Sequence, residues 1–195
     1  HSRVGEKQRT YETGANFDRD FGPWSLAVVG LLTRKDYTNT EADTDFAGPT
    51  FLSSANLEQE LDSGESILRA TLARDFGTQH HLEFGAEGAI NTLDARFTFI
   101  EDTGAGATEI FLPNSNVNVE ERRAEVFGSY TWRPSNRWSV ETRLAEETST
   151  LTFTGDTNHT VDLSYLKPSV QVSRSFGENT QLRLRAYRDV GQLNF

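Results

Sequence analysis

Apolar and polar residues alternate along segment after segment of this chain, and a period of two predicts β-strands rather than helices. Between His81 and Ile90, for example, Leu82, Phe84 and Ala86 alternate with Glu83 and other small or charged residues. The segments with this period are 24–32, 67–72, 81–90, 123–132, 138–144, 166–173 and 182–187, and a weaker one at 8–17 precedes them. The sequence therefore predicts eight strands and an all-β fold.

The predicted strands are joined alternately by short and long connections. The short ones are 19–23, 74–78, 133–136 and 176–180, whereas polar excursions span about 35–63 and 92–119, with a smaller one at 155–161. Short turns at one rim and long loops at the other are typical of an antiparallel up-and-down transmembrane β-barrel, whose short turns face the periplasm. Both ends of such a chain would lie at the long-loop rim. Because complete bacterial barrels begin and end in the periplasm, we expect an eight-strand section of a larger barrel.

The two faces of the predicted strands differ in chemistry. One face holds an apolar row that includes Leu82, Phe84, Val126, Val140 and Val170. The other is ionic and carries Arg69, Glu83, Glu87, Arg123, Glu125, Glu141, Arg143, Lys167, Arg183 and Arg185. In a membrane barrel the apolar row faces lipid and the ionic row lines the lumen. In a soluble β-sandwich the apolar row packs on a second sheet and the ionic row faces water.

Aromatic residues gather beside the short turns and strengthen the membrane interpretation. Three turns share a related sequence, namely Arg19-Asp20-Phe21-Gly22, Arg74-Asp75-Phe76-Gly77 and Arg174-Ser175-Phe176-Gly177. The rings of Trp24, Tyr130, Trp132 and Trp138 lie near the same turns. Such a cluster predicts an aromatic girdle at the level of the lipid headgroups.

Composition limits the class of protein further. The 195 residues carry 29 acidic and 19 basic side chains, a net charge of −10, which argues against a nucleic-acid binder that neutralises phosphates. Cysteine is absent, which excludes disulfides, thiolate metal sites and cysteine nucleophiles. No linker divides the chain, so residues 1–195 are expected to form one partial barrel region.

Several stretches resemble the barrel of TonB-dependent receptors of Gram-negative outer membranes. They are 81–89, 138–149, 155–156, 165–169 and 182–195. The resemblance implies a barrel of about 22 strands around a plug domain. It also implies import of scarce nutrients such as iron chelates, cobalamin or saccharides. The implied partners are outer-membrane lipid, the plug, the remaining barrel strands and the inner-membrane TonB complex. Neither a plug nor an energy-coupling box is identifiable in these residues.

Candidate catalytic groups are weak, and we expect no enzyme activity, cofactor or metal. Glu83 with Glu87, or Glu141 with Glu147, resembles the carboxylate pair of a glycosidase, but salt bridges in a lumen explain these residues better. Adjacent His80 and His81 point to opposite faces of a strand, so they are not expected to bind one metal ion. Asn158-His159-Thr160 matches a glycosylation sequon that a bacterial outer-membrane protein would not use.

Apolar residues inside the long excursions are the remaining candidates for ligand binding. They are Phe46, Phe51, Leu52, Phe97, Phe99, Ile110, Phe111 and Leu112. One explanation is that they capture a partly hydrophobic ligand. The other is that the loops fold against one another or that strands extend beyond the membrane. No ligand-binding residue is assigned. Three functions stay open. They are a barrel wall of a TonB-dependent receptor, a soluble β-sandwich for binding or adhesion, and a small closed barrel that anchors in the outer membrane.

Overall fold

The computed structural model describes residues 1–177 and 179–188, and these fold into β-structure without helices. The described residues contain nine strands, one more than the eight predicted, because the short β5 was not foreseen. They are β1 (Ser2–Phe21), β2 (Trp24–Ala47), β3 (Thr50–Phe76), β4 (His80–Asp102), β5 (Thr108–Ile110), β6 (Asn116–Ser135), β7 (Trp138–Gly155), β8 (His159–Ser175) and β9 (Gln181–Tyr187). All neighbours pair antiparallel in the order β1-β2-β3-β4-β6-β7-β8-β9, and β5 pairs with β4 alone. The predicted all-β, up-and-down arrangement is confirmed.

The predicted long loop at 35–63 is wrong. Strands β2 and β3 stay paired from Lys35 and Ser63 to Ala47 and Thr50, and only Gly48 and Pro49 form the turn between them. The apolar residues of this segment, such as Phe46, Phe51 and Leu52, are scattered among polar ones, so it lacks the regular apolar alternation that identified the other strands. Backbone hydrogen bonds do not depend on that alternation, and the ladder continues through polar sequence.

The predicted loop at 92–119 is also largely strand. Strand β4 continues to Asp102, β5 adds three residues to its edge, and β6 begins at Asn116. The irregular segments that remain are 103–107 and 111–115. The third excursion shrinks to the turn 156–158, which Gly155 enters with a positive φ of 105°. Extension of the paired strands, one of the alternatives considered above, is what the structure shows.

The four short connections are tight turns at one end of the sheet, here called the short-turn end. Gly22, Gly77 and Gly177 adopt positive φ values of 60°, 65° and 78°, a conformation that side chains with a Cβ rarely adopt. The turn between β1 and β2 is two residues long, since Phe21 pairs directly with Trp24. The glycine that ends each repeated Arg-x-Phe-Gly sequence is thus required by the backbone.

In the described part of the chain the strands form one open sheet. Strands β1 and β9 lie at its two edges, and each strand packs only against its neighbours in the sheet. The sheet does not close on itself among these residues, so the predicted barrel is not confirmed. Likewise, no second sheet covers either face of the described strands, as a β-sandwich requires. Within residues 1–177 and 179–188, no helix is long and apolar enough to cross a membrane.

Candidate functional site

The burial of the two faces is inverted relative to a soluble protein. On the ionic face, Glu121 and Glu147 are buried, with 6% and 4% of their surface exposed. On the opposite face, Leu68 and Val126 expose 62% and 58%. Because no second layer covers the ionic face, its side chains must be covered by one another. Crowding on one face and open space on the other are what curvature produces, so the ionic face is concave.

The apolar row is exposed on the convex face. Phe84, Val126 and Val170 are exposed, while Leu82 and Val140 are half-buried between their neighbours on adjacent strands. On β6 the apolar side runs from Trp132 to Ala124, about nine residues, which suits a tilted strand crossing a bilayer. We name this surface the apolar face.

The apolar face crosses the sheet obliquely. Leu32, the last apolar residue of its run on β2, lies at the register level of Arg122 on β6. At the other end, Trp24 lies at the level of Thr142 on β7, yet the run on β7 continues past Thr142 to Trp138. A level apolar zone on tilted strands requires such a drift, and tilt is a property of barrel walls.

A network of charged side chains crosses five strands of the concave face, and we call it the ionic ladder. Glu87, Glu125 and Glu147 are direct cross-strand neighbours on β4, β6 and β7. Like charges in register repel, so cations must lie between them. The ladder comprises Arg69, Glu87, Arg123, Glu125, Arg143, Glu147 and Lys167.

Cations connect these carboxylates across the strands. Arg69 Nε lies 2.8 Å from Glu87, and Arg123 joins Glu87 (3.1 Å) to Glu147 (3.9 Å). Lys167 joins Glu147 (2.9 Å) to Glu125. Arg143 completes the ladder with a 2.9 Å contact to Glu125. Each of the three carboxylates in the ladder thus contacts two cations, which compensates the repulsion between them.

Farther from the short turns, a buried hydrogen-bonded group adjoins the ladder on the same face. Asn91 Nδ2 donates to Glu121 Oε2 (2.9 Å), and Ser149 Oγ donates to Glu121 Oε1 (2.7 Å). All three residues are buried. A buried carboxylate that accepts two hydrogen bonds loses less solvation energy, so Glu121 is tolerated on this face.

One aromatic ring lies among the charges of the concave face. Phe127 is buried opposite Gly85, and the guanidinium groups of Arg143 and Arg69 lie 3.8 Å and 5.6 Å from its ring centre. A Cβ on Gly85 would approach Phe127 Cζ to 2.6 Å. Because Gly85 has no side chain, the Phe127 ring can lie against this strand and contact two arginines of the ladder.

Replacing Gly85 with alanine is expected to destabilise the fold by about 1–3 kcal/mol, because the new Cβ would lie 2.5 Å from the backbone oxygen of Ala70 and would push Phe127 away from Arg143. Gly88 is the matched control on the same strand, since a Cβ there meets no atom within 4 Å. The midpoint of urea unfolding for Gly85→Ala and Gly88→Ala would measure the difference. Equal midpoints would show that the position of Phe127 does not matter for stability.

At the short-turn end, arginines of the convex face lie over aromatic rings. Arg74 lies 4.4 Å from the Phe76 ring and 5.3 Å from the Trp24 ring. Arg174 lies 4.5 Å from the Phe176 ring and 4.9 Å from the Trp138 ring. The aromatic girdle was expected, but its arginines were not. The available signal was the Arg-x-Phe spacing, which places both side chains on one face of a strand.

The structure places the candidate catalytic residues in the ionic surface. Glu87 and Glu147 belong to the ladder, and Glu141 accepts a hydrogen bond from Gln171 (3.2 Å). The two histidines point to opposite faces, where His80 shares a hydrogen bond with Tyr130 (2.6 Å) and His81 pairs with Asp75 (2.8 Å). Among the described residues, no group of three or more His, Asp or Glu side chains could hold a metal ion.

The apolar residues of the excursions lie on extended strands and their tips. Phe46 and Phe51 flank the turn between β2 and β3, and their rings meet edge to face at 6.1 Å. Phe97 and Phe99 lie within β4, where Phe99 pairs with Ile110 of β5. Phe111 is exposed in the segment after β5. These residues are thus distributed along a strand extension and its tips.

No family model matches the chain, and no curated protein shows significant sequence similarity to it.

Proposed function

We propose that this chain forms part of the wall of a transmembrane β-barrel in the bacterial outer membrane. The observation that carries the proposal is the inversion of its faces, with leucine, valine and phenylalanine exposed and glutamates buried in one single-layer sheet. In water, exposure of so many large apolar side chains is unfavourable. In hydrocarbon the same surface is favourable, and the ionic face is removed from lipid.

The geometry suits the physical task of such a wall. Hydrocarbon offers no hydrogen bonds, so a membrane-crossing backbone must satisfy all its polar groups within the protein. The antiparallel ladder does this for every inner strand from β2 to β8. On the concave side, the ionic ladder supplies a rigid charged surface that can line an aqueous lumen or contact a domain seated inside it.

The narrower proposal is that this wall belongs to a TonB-dependent receptor that imports scarce nutrients such as iron chelates, cobalamin or saccharides. It is supported by the resemblance of segments such as 138–149 and 165–169 to that family, together with the long strand extensions at one end. The chain would act without chemistry of its own. Its plug domain, its remaining strands and the TonB complex would contribute ligand capture and energy.

Tryptophan fluorescence tests the membrane proposal, because Trp24, Trp132 and Trp138 all lie near the short-turn end of the apolar face. Folded in phosphatidylcholine vesicles, the chain is expected to show strong quenching by lipids that carry a quencher near the headgroup. Quenchers deep in the acyl chains should act more weakly, and aqueous iodide weakest of all. A folded chain that is monomeric in plain buffer and quenched by iodide alone would contradict the proposal.

The receptor proposal needs a separate test in cells. In the bacterium that carries the gene, its deletion is expected to abolish uptake of one nutrient among iron chelates, cobalamin and saccharides. Uptake should also stop when TonB is removed. Unchanged uptake of all three classes, in cells whose other receptors for them are deleted, would reject the receptor while leaving the membrane wall intact.

A further inference from the structure

The repeated Arg-x-Phe-Gly turns place a cation and a ring at one end of the apolar face. Arg74 and Phe76 point to the convex side because they are two residues apart on β3, whereas Asp75 between them points to the concave side and pairs with His81. Arg174 and Phe176 repeat the arrangement after β8. At the end of β3 the arginine thus lies on the apolar side and the aspartate on the other, whereas at the end of β8 the intervening residue is Ser175.

Two of the turns are completed by a tryptophan from the preceding strand. Trp24 is the direct cross-strand partner of Arg74, and Trp138 is the direct partner of Arg174. Each arginine consequently lies near two rings at distances of 4.4–5.3 Å. We call Trp24-Arg74-Phe76 and Trp138-Arg174-Phe176 the two triads. In the third turn, Arg19 lies 5.0 Å from the Phe21 ring, and its cross-strand partner is Leu26.

Contact with the rings fixes each guanidinium but does not satisfy its hydrogen bonds. An aromatic face attracts the cation through its quadrupole and leaves the N–H groups at the edge of the guanidinium plane to find acceptors. Arg74 Nε is buried and has no hydrogen-bond partner among the described residues, so the terminal Nη groups are the donors of this arginine that a ligand can reach. A planar, positioned arginine with unsatisfied donors matches the oxygens of a phosphate group.

We propose that the two triads bind the phosphate groups of anionic phospholipids at the bilayer surface. This inference rests on the proposal that the apolar face contacts lipid. A lipid is the occupant that fits, because acyl chains would cover Leu72, Phe84 and their neighbours while the phosphate reaches the arginine at the same end of that face. The rings of Phe76, Trp138 and Phe176 are exposed there, at the level where amphipathic rings meet headgroups.

The overall charge of the chain makes this proposal sharply testable. A net charge of −10 predicts repulsion from an anionic membrane, so bulk electrostatics would favour zwitterionic vesicles. Local binding by the triads predicts the opposite preference. We therefore expect the full chain to partition more strongly into vesicles of equimolar phosphatidylglycerol and phosphatidylcholine than into vesicles of phosphatidylcholine alone.

Two charge-matched double variants test the assignment. Arg74→Gln with Arg174→Gln should reduce the preference for phosphatidylglycerol by about five-fold for each arginine. Arg122→Gln with Arg137→Gln removes the same charge outside the triads and should retain the preference. Arg74→Lys with Arg174→Lys should keep only part of it, since lysine lacks the planar fork. Circular dichroism in each vesicle reports whether the variants fold.

The outcomes separate this inference from the proposed function. If the chain inserts into neither type of vesicle, the membrane wall itself is rejected. If it inserts equally into both, or if both double variants lose the preference to the same extent, the triads are not phosphate sites although the wall stands. Inorganic phosphate is added at a concentration equal to that of the lipid phosphate. If it abolishes the preference for phosphatidylglycerol, the arginines bind free anions instead of lipid, and the assignment is overturned.

Discussion

Replacing Arg123 with methionine is expected to lower the free energy of unfolding by about 3 kcal/mol. The Arg123 side chain is 10% exposed and lies between the carboxylates of Glu87 and Glu147, so its loss leaves crowded negative charges on the concave face. Arg69 and Lys167 still contact those carboxylates, which keeps the expected loss at the lower end of values for broken buried pairs. Urea unfolding in vesicles, followed by circular dichroism, measures it.

The neighbouring residue supplies a matched control for this prediction. Arg122 follows Glu121 on the same strand, but its side chain is 73% exposed on the convex side and pairs with Glu120. Exposed ion pairs contribute about 0–1 kcal/mol, so Arg122→Met should change stability little. If Arg122→Met costs as much as Arg123→Met, the ionic ladder is not what stabilises the concave face.

Placing an arginine at Val126 is expected to destabilise the chain in vesicles by about 1–3 kcal/mol, because a charge would enter hydrocarbon within the apolar run of β6, two residues from its end at Ala124. In a soluble protein, the same change at a residue with 58% of its surface exposed would be nearly neutral. The sign and size of this one measurement therefore distinguish a lipid-facing surface from a water-facing one. The free energy of unfolding is measured by titrating the vesicle-bound variants with denaturant.

Val4 is a control outside the apolar face, on the concave side of the sheet. It lies on β1, 65% exposed, where β1 pairs with the polar extension of β2 at Glu41. Val4→Arg should change the free energy of unfolding by less than about 0.5 kcal/mol. A Val126→Arg variant as stable as Val4→Arg would place the apolar face in water and remove the main support for the membrane proposal.

Glu146 lies at the edge of the apolar face on β7. It is exposed on the convex side of β7, between Val126 of β6 and Leu166 of β8 in register. The oblique course of the apolar face explains this position, since on β7 the apolar run covers Trp138 to Leu144 and ends before Glu146. If the apolar face contacts lipid as proposed, the carboxylate marks where the strand leaves hydrocarbon, and the apolar alternation in the sequence ends at the same place, at residue 144.

Strand positions near the short turns were predictable because two signals coincided there. Around Phe84, period-two alternation and a nearby glycine turn both indicated a strand, and the structure has one. The extension around Lys35–Ala47 was missed because its few apolar residues do not alternate regularly with polar ones, although its backbone pairs fully. Alternation of apolar and polar side chains reveals a strand only where its two faces meet different surroundings. Beyond the apolar face, the two faces of the strand no longer differ in this way.

The sequence by itself determined the all-β fold, the antiparallel order, the short-turn end and the separation of apolar and ionic faces, because alternation and turn residues are local properties of the chain. Only the tertiary structure decided which carboxylates share a cation and which arginines lie between two rings. Those contacts join residues such as Trp24 and Arg74 that are distant in sequence. Register sets them, and register follows from the whole ladder of hydrogen bonds rather than from any one segment.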